Sequence, residues 1–430
     1  MMKQTDIVAR CICCEFEIDA DVVPLDGCPR CRDRGLGCNL SLQVPAAPGS
    51  PLSQEQSPAG STGLESRGIW RFAPRLPVVP AEKRLTLGEG NTALVELERL
   101  PDRPAGVRLW AKDESRNPTL SFKDRFMAAA TSRACHLGAE VVVATSTGNG
   151  GTSAAAYAAR AGLGCVVLVS PQLPQPPRRY ISSLGGVLIA VTGAEARYSL
   201  MRTAVEEWGW YPLTNFAVPA NGSNLFGIAG YKTIAYEIHQ QLGAVPDWVV
   251  VPLSMGDGLY GIWQGFAELV ALGLTDGAPK MVAVEPAAAA PVAAAFGAGE
   301  RQLEAVQTVA SVAYNVGSAR SSEQALPPLR ASGGRALAMP EEHILALQTR
   351  LATHCGLHAE ASSVLAVWGA CEVAQRGETA VAVVTSSGLK DPDPAAPMPE
   401  ELEPIPATLD ALEAALPEHF SGSSRGGPGA

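Results

Sequence analysis

Seven short apolar runs punctuate the middle of this chain: VRLWAK (107–112), VVVAT (141–145), CVVLV (165–169), VLIAV (187–191), WVVVP (248–252), MVAVE (281–285) and AVAVVT (380–385). Stretches of helical length separate them. Runs that are apolar at consecutive positions fit strands buried on both faces. Strands alternating with helices predict an α/β chain whose parallel sheets are covered on both sides, with ligands bound beyond the carboxyl ends of the strands. At 430 residues there is length for two or three domains, and 47% hydrophobic against 18% charged residues fits a globular enzyme-like chain.

The flanks differ in composition. Residues 1–40 are rich in cysteine, and residues 41–68 are a Pro/Gly/Ser-rich stretch that reads as a flexible linker. The strand-and-helix region spans 69–392. Residues 393–430 form an extension with a short amphipathic helix, TLDALEAAL, and a tail, SGSSRGGPGA, expected to be disordered. The 33 basic and 43 acidic side chains leave a net charge of −10, and no basic cluster is long enough to track a phosphate backbone, so nucleic acid is not an expected partner. No apolar run spans a bilayer, and MMKQTDIVAR lacks a signal-peptide core, so a cytoplasmic location without membrane association is expected.

Six of the ten cysteines crowd the first forty residues. Cys11-x-x-Cys14 and Cys28-x-x-Cys31 have the spacing of a zinc ribbon, whose two knuckles bring four thiolates to one tetrahedral ion and fold a segment too small to build its own core. A reducing compartment disfavours disulfides. Cys13 and Cys38 remain spare and leave the choice of ligands open. Cys135, Cys165, Cys355 and Cys371 sit singly in apolar patterns and read as ordinary buried thiols.

Three loops follow predicted strands. After VVVAT comes Ser146-Thr147-Gly148-Asn149-Gly150-Gly151-Thr152 and then a helix, SAAAYAARAG. Its glycines let backbone N–H groups approach a ligand, and the helix start favours an anion. No Gly-Lys-Ser/Thr follows, so it is not a Walker loop, and Ser153 stands where a dinucleotide fingerprint has its third glycine. After WVVVP comes Leu253-Ser254-Met255-Gly256-Asp257-Gly258, a phosphate-cradle candidate by the same physics. It also carries a literal GxGxxG at Gly256, Gly258 and Gly261 with Glu285 at the end of the next strand, which supports a rival reading as an NAD-dependent oxidoreductase. That fingerprint turns at once from its strand, whereas three residues separate Pro252 from the first glycine here. After AVAVVT comes Thr385-Ser386-Ser387-Gly388, whose hydroxyls suit a heterocycle nitrogen or simply cap a turn.

One lysine is out of place. In NPTLSFKDR (117–125), turn residues precede a helix that Ser121 is positioned to cap, which puts Lys123 in the first turn, where the macrodipole disfavours a cation. A positive helix end and a desolvated pocket both lower an amine's pKa, giving the neutral nucleophile that forms an imine.

Together these stretches resemble the threonine synthase family of fold-type-II pyridoxal-phosphate (PLP) enzymes. NPTLSFKDR is similar to its NPTGSFKDR, STGNGGTSAAAYAARAGL to its SSGNxGxSxAAYAARAGL, GYKTIAYEI to GQKTIAYEI, VVTSSGLKDP to VxTGxGLKDP and LGEGNTALVEL to GEGxTPL; VVVPLSMGDGLYGIWQGF resembles its phosphate-loop segment. The resemblance runs from about Trp70 to Pro392. It implies a two-domain fold with parallel-sheet domains, the smaller at roughly 125–230, preceded by the zinc-ribbon-like segment, and a homodimer. It makes Lys123 the Schiff-base lysine and general base. Asn149 would bind the phenolic oxygen of the cofactor; Ser254, Met255, Gly256, Asp257 and Gly258 would bind its phosphate; Thr385 would face its ring nitrogen. Ser146, Thr147, Gly148, Asn149 and Gly150 would hold the carboxylate of an amino-acid substrate. A neutral hydroxyl at the ring nitrogen favours β- or γ-elimination or replacement over transamination.

The departures fall where substrate identity is decided. The family's NPxRLEGQKT lends an arginine to the phosphate of O-phosphohomoserine, but this chain reads NLFGIAGYKT, with Gly227 in that arginine's place and Ala229 in that of the glutamate. Asp257 in the phosphate loop would repel a phosphate unless turned outward. Arg178, Arg179 and Arg197 are alternative cations. The expectation is therefore a PLP lyase or synthase with a changed substrate. True threonine synthase and a threonine/serine dehydratase are close alternatives, and a non-catalytic zinc-binding scaffold is a reading of another class.

Overall fold

The computed structural model describes residues 7–53, 68–76, 79–300, 302–392 and 404–416. Residues 1–393 form one compact unit and 394–430 another. In the second, Thr408 caps the helix Leu409–Ala415 by accepting from Ala411 N at 3.3 Å, as the TLDALEAAL pattern predicts. The tail and residues 54–67, half of the linker, lie outside the described residues.

The first unit contains three sheets. A small antiparallel one joins β1 (Val8–Cys11), β2 (Glu17–Asp19) and β3 (Leu40–Gln43) in the order β2-β1-β3. The largest is ordered β12-β11-β10-β13-β5-β4, from β4 (Leu94–Glu96), β5 (Arg108–Asp113), β10 (Trp248–Pro252), β11 (Lys280–Pro286), β12 (Arg335–Met339) and β13 (Thr379–Val384). Every pairing in it is parallel except the antiparallel edge strand β4. The third is a parallel sheet of β6 (Val141–Thr145), β7 (Gly164–Val169), β8 (Val187–Ala190) and β9 (Tyr211–Pro212), ordered β8-β7-β6-β9. The fold is thus α/β with parallel sheets. Each of the seven apolar runs is a strand to within a residue, and β10 and β13 are buried at every position, as consecutive apolarity requires. No described helix is long and apolar enough to cross a membrane.

A buried ionic knot anchors the segment that leads to Lys123. Arg125 donates to Glu114 at 2.7 Å and to Glu237 at 2.7 and 2.8 Å, and Lys112 donates to Glu237 at 2.7 Å. Arg125, Glu114 and Glu237 are fully buried, so removing one partner would strand a charge, at about 3–5 kcal/mol. Against the upward push of burial, the Arg125 and Lys112 cations hold the Glu237 carboxyl well below the ordinary carboxyl range.

Candidate active site

The stretch before Lys123 is stitched to the loop after β13. Phe122 N donates to Thr385 O at 2.9 Å, Ser387 N to Leu120 O at 3.1 Å and Ser386 Oγ to Leu120 O at 2.9 Å. Leu120 adopts a left-handed φ of 62°, the turn that swings Ser121 against Ser386. The helix starts at Lys123, one residue later than the pattern suggests, with Phe122 as its cap; Ser121 does not cap it, because its hydroxyl is buried in the contact with Ser386. Asp124 does the fastening, accepting from Thr119 N at 2.7 Å, Thr119 Oγ1 at 2.6 Å and Ser153 Oγ at 2.5 Å.

Lys123 opens onto a cavity of about 390 Å³ between the two parallel sheets, at the carboxyl ends of β6, β10 and β13. Its wall includes Ser146, Thr147, Asn149, Gly150, residues 254–258 and Thr385. Of the cofactor and substrate residues expected from sequence, only Gly148 is not part of the lining; with φ 151° it caps the helix Asn149–Ala161. Lys123 Nζ makes no hydrogen bond or ion pair with any described residue. It lies 4.7 Å from the Phe122 ring centroid and 5.8 Å from that of Tyr231. Burial depresses its pKa, and the charges of Asp257 and Glu360 oppose that fall.

The loop after β10 is held by its carbonyls. Ser321 Oγ donates to Ser254 O at 2.5 Å, and Ser322 Oγ and Gln324 Nε2 donate to Met255 O at 2.6 and 3.0 Å. None of the backbone N–H groups from Ser254 to Gly258 is donated to another group among the described residues, so this edge presents a row of unpaired donors at the start of the helix Asp257–Ala271. Asp257 is turned aside as an anion site requires: Oδ1 accepts from Ser223 N at 3.0 Å, Oδ2 from Ser223 Oγ at 2.7 Å, and Gln324 donates to it as well.

On the opposite wall Asn149 Nδ2 donates to Glu360 Oε2 at 2.7 Å, and Asn315 donates to the same carboxylate. Ser146 Oγ closes its own loop by accepting from Gly148 N at 3.0 Å and Gly151 N at 2.8 Å. Thr385 Oγ1 and Ser363 Oγ lie 2.8 Å apart. Glu360, Asn315, Ser223 and Tyr231 are wall residues that the sequence did not single out, because their apparent signal is an ordinary helix start or loop.

The dinucleotide reading fails on geometry. A Cβ on Gly258 would lie 2.7 Å from the Phe122 ring and one on Gly261 2.5 Å from Ile228 O, so these glycines serve close packing. Glu285 does not face a ribose site; it accepts from Val292 N at 3.3 Å and Ala293 N at 2.8 Å, capping the helix Pro291–Gly297.

A separate centre lies in the cysteine-rich segment. The Sγ atoms of Cys11, Cys14, Cys28 and Cys31 all fall within 4.8 Å of one another, with Cys11 to Cys31 and Cys14 to Cys28 both 3.7 Å. Tetrahedral zinc with 2.3 Å bonds to sulfur needs edges of about 3.8 Å. The spare pair is not reduced, contrary to the expectation of free thiols: Cys13 and Cys38 form a disulfide. Pairing of β1 with β3, Cys11 opposite Leu40, brings the two chain segments together with Cα atoms 6.2 Å apart.

An unpaired lysine amine sharing a cavity with unpaired N–H donors at the carboxyl ends of parallel strands defines the class: a PLP-dependent enzyme of fold type II. Residues 85–388 match the family model described as pyridoxal-phosphate dependent enzyme, and the chain belongs to that family. Within it, the threonine synthase of Methanocaldococcus jannaschii is 34% identical over 364 residues, covering 82% of this chain and 87% of its own length. The threonine synthase of Synechocystis sp. is 33% identical over 371 residues, covering 83% and 93%. Among solved structures, maize serine racemase superposes with a TM-score of 0.60 at 18% identity over 70% of this chain and 88% of its own, a likeness of fold.

Proposed function

We propose that the protein catalyses β- or γ-elimination or replacement on an activated amino acid, with a substrate changed from that of the threonine synthases. The observation that carries the catalytic part is the unpartnered Lys123 amine, depressed by burial and opposite the free N–H groups of 254–258. When bound, PLP supplies an electron-withdrawing ring that acidifies the α-proton of an attached amino acid. Lys123 takes up and returns that proton at Nζ. Residues 254–258 hold the phosphate, Asn149 the phenolic oxygen and Thr385 the ring nitrogen. Ser146, Thr147, Asn149, Gly150 and the backbone at Gly148 receive the substrate carboxylate at the start of their helix. Thr385, already paired with the neutral Ser363 hydroxyl, is no source of a full counter-charge, which supports expulsion of a leaving group over transamination.

The changed substrate is supported by Gly227. Its Cβ position lies 2.5–2.6 Å from three atoms of the Phe126 ring, so no arginine fits there beside that phenylalanine. The four-cysteine cluster supports a structural zinc. The test is spectral: protein incubated with PLP should absorb in the visible, lose that band to borohydride, and show no band as Lys123→Ala. Colourless wild-type protein refutes the reading, and turnover of O-phosphohomoserine at ordinary enzyme rates refutes the changed substrate.

A further inference from the structure

Of the three arginines that sequence offers as replacements for the missing one, two are occupied elsewhere. Arg178 donates to Leu173 O at 2.5 Å and to Pro171 O at 2.8 Å, and Arg179 lines a separate surface depression with Gln175 and Tyr180. Arg197 lines the Lys123 cavity. It stands on the first turn of the helix Ala194–Trp208, where Ala194, Arg197 and Tyr198, spaced i, i+3 and i+4, face the same space. Arg197 Nη1 donates to Val191 O at 3.0 Å, which fixes the side chain against its own loop. No described carboxylate lies within ion-pair distance of it, and its remaining N–H groups are unpaired among the described residues.

The balance of charge on the wall narrows the ligand. The lining cations are Lys123 and Arg197, and the lining acids are Asp257 and Glu360. The cofactor engages Lys123 and adds its own phosphate, so the loaded cavity is negative apart from Arg197. A dianionic tail would meet that field; a singly charged, planar carboxylate matches the guanidinium fork with least repulsion. Tyr198, kept neutral because burial raises its pKa, and Asn215 stand beside it as uncharged donors.

We infer that Arg197 is a specificity-determining residue that binds the carboxylate at the far end of a dicarboxylic amino-acid substrate. The inference rests on the reading of this cavity as a PLP site. Its test titrates the PLP-loaded protein, by the visible spectrum, with L-aspartate, L-glutamate, their amides L-asparagine and L-glutamine, and O-phospho-L-serine. At least one dicarboxylic acid should bind roughly 10- to 100-fold more tightly than its amide, the yield of one charge-assisted pair. Arg197→Ala should abolish that preference while leaving amide affinity and the cofactor band unchanged, and Arg197→Lys should restore part of it. Equal affinity for acids and amides, or an Arg197→Ala loss shared by both, overturns the inference. Tightest binding of O-phospho-L-serine through Arg197 overturns the carboxylate assignment. Failure of the wild-type protein to take up PLP would sink the underlying reading instead, and is seen before any amino acid is added.

Discussion

Adding a single methyl group at Gly227 tests why this chain lacks the arginine of its relatives. A Cβ there would lie 2.5 Å from Phe126 Cζ and 2.6 Å from both Cε atoms, where ordinary carbon contacts are about 3.5–4.0 Å. The ring cannot swing clear: Phe126 is 3% exposed, and its centroid lies 5.8 Å from that of Tyr231, which in turn stacks on Phe122 at 4.8 Å. Nor can the backbone retreat, because a Cβ on Gly230 would already strike Arg125 O. Gly227→Ala should therefore destabilise by about 1–3 kcal/mol through overpacking. An unfolding entropy of about 2.1 cal/mol/K per residue over the unit 1–393 makes that a fall in Tm of about 1–4 °C. Differential scanning fluorimetry of the PLP-loaded protein reads it, with Gly277→Ala, whose Cβ would meet nothing within 4 Å, as the neutral control. Adding Phe126→Leu to Gly227→Ala should cost less than the two changes summed, since the second opens room for the first. A Gly227→Ala protein as stable as Gly277→Ala would refute the claim that sterics exclude the arginine.

Metal and pH give two further tests. Purified protein should carry about one zinc per chain by elemental analysis, and Cys28→Ser, which removes a ligand that is 1% exposed, should lose the metal and expose residues 8–43 to protease; zinc-free wild-type protein that resists protease would exclude a structural ion. Burial pushes the Glu285 carboxyl from its ordinary 4.5 up to about 7, against the lowering effect of the Ala293 and Val292 N–H groups. The folded state then holds more protons than the unfolded one between these values, so this contribution is full below about pH 4.5 and lost as pH rises through about 7. Glu285→Gln should flatten the decline in denaturant midpoint across that window, leaving the parts due to Glu89 and Asp391, which burial also raises to about 7. An unchanged slope would contradict it.

The strands and loops that wall the cavity were legible because their signals are local. Apolar runs mark β10 and β13 as buried strands, and glycine-rich turns after β6 and β10 mark where backbone approaches a ligand. The strands missed are those with little such signal: β12 is RALAM, with small residues and one buried position, β9 is two residues long, and β4 is an antiparallel edge. Ser121 looked like a cap because serine before an apolar helix usually is one, and long-range pairing with Ser386 overrode that preference. Arg197 could be named from sequence but not chosen over Arg178 and Arg179, since the choice depends on which helix face meets the cavity. The Cys13–Cys38 link likewise needs the β1–β3 register.

Asp257 shows how such distant contacts resolve a conflict that looks severe in sequence. A carboxylate in a phosphate loop is repulsive, and its lone pairs are instead taken by Ser223 and Gln324. Both are in turn held by Asn39, the residue after Cys38, whose Nδ2 donates to Ser223 O at 3.0 Å and to Gln324 Oε1 at 3.3 Å. The same cysteine-rich segment packs Cys11, Cys28 and Cys31 into one apolar cluster with Leu225, Phe226 and Ala229, on the short helix that carries Gly227. That helix lies at backbone contact with the one bearing Lys123. The amino-terminal segment therefore braces both sides of the cavity, the donor loop through Asn39 and the lysine helix through Phe226. A tolerated acid at position 257 and a lost arginine at position 227 are consistent with one rearranged wall, which carries Arg197 as well as Lys123.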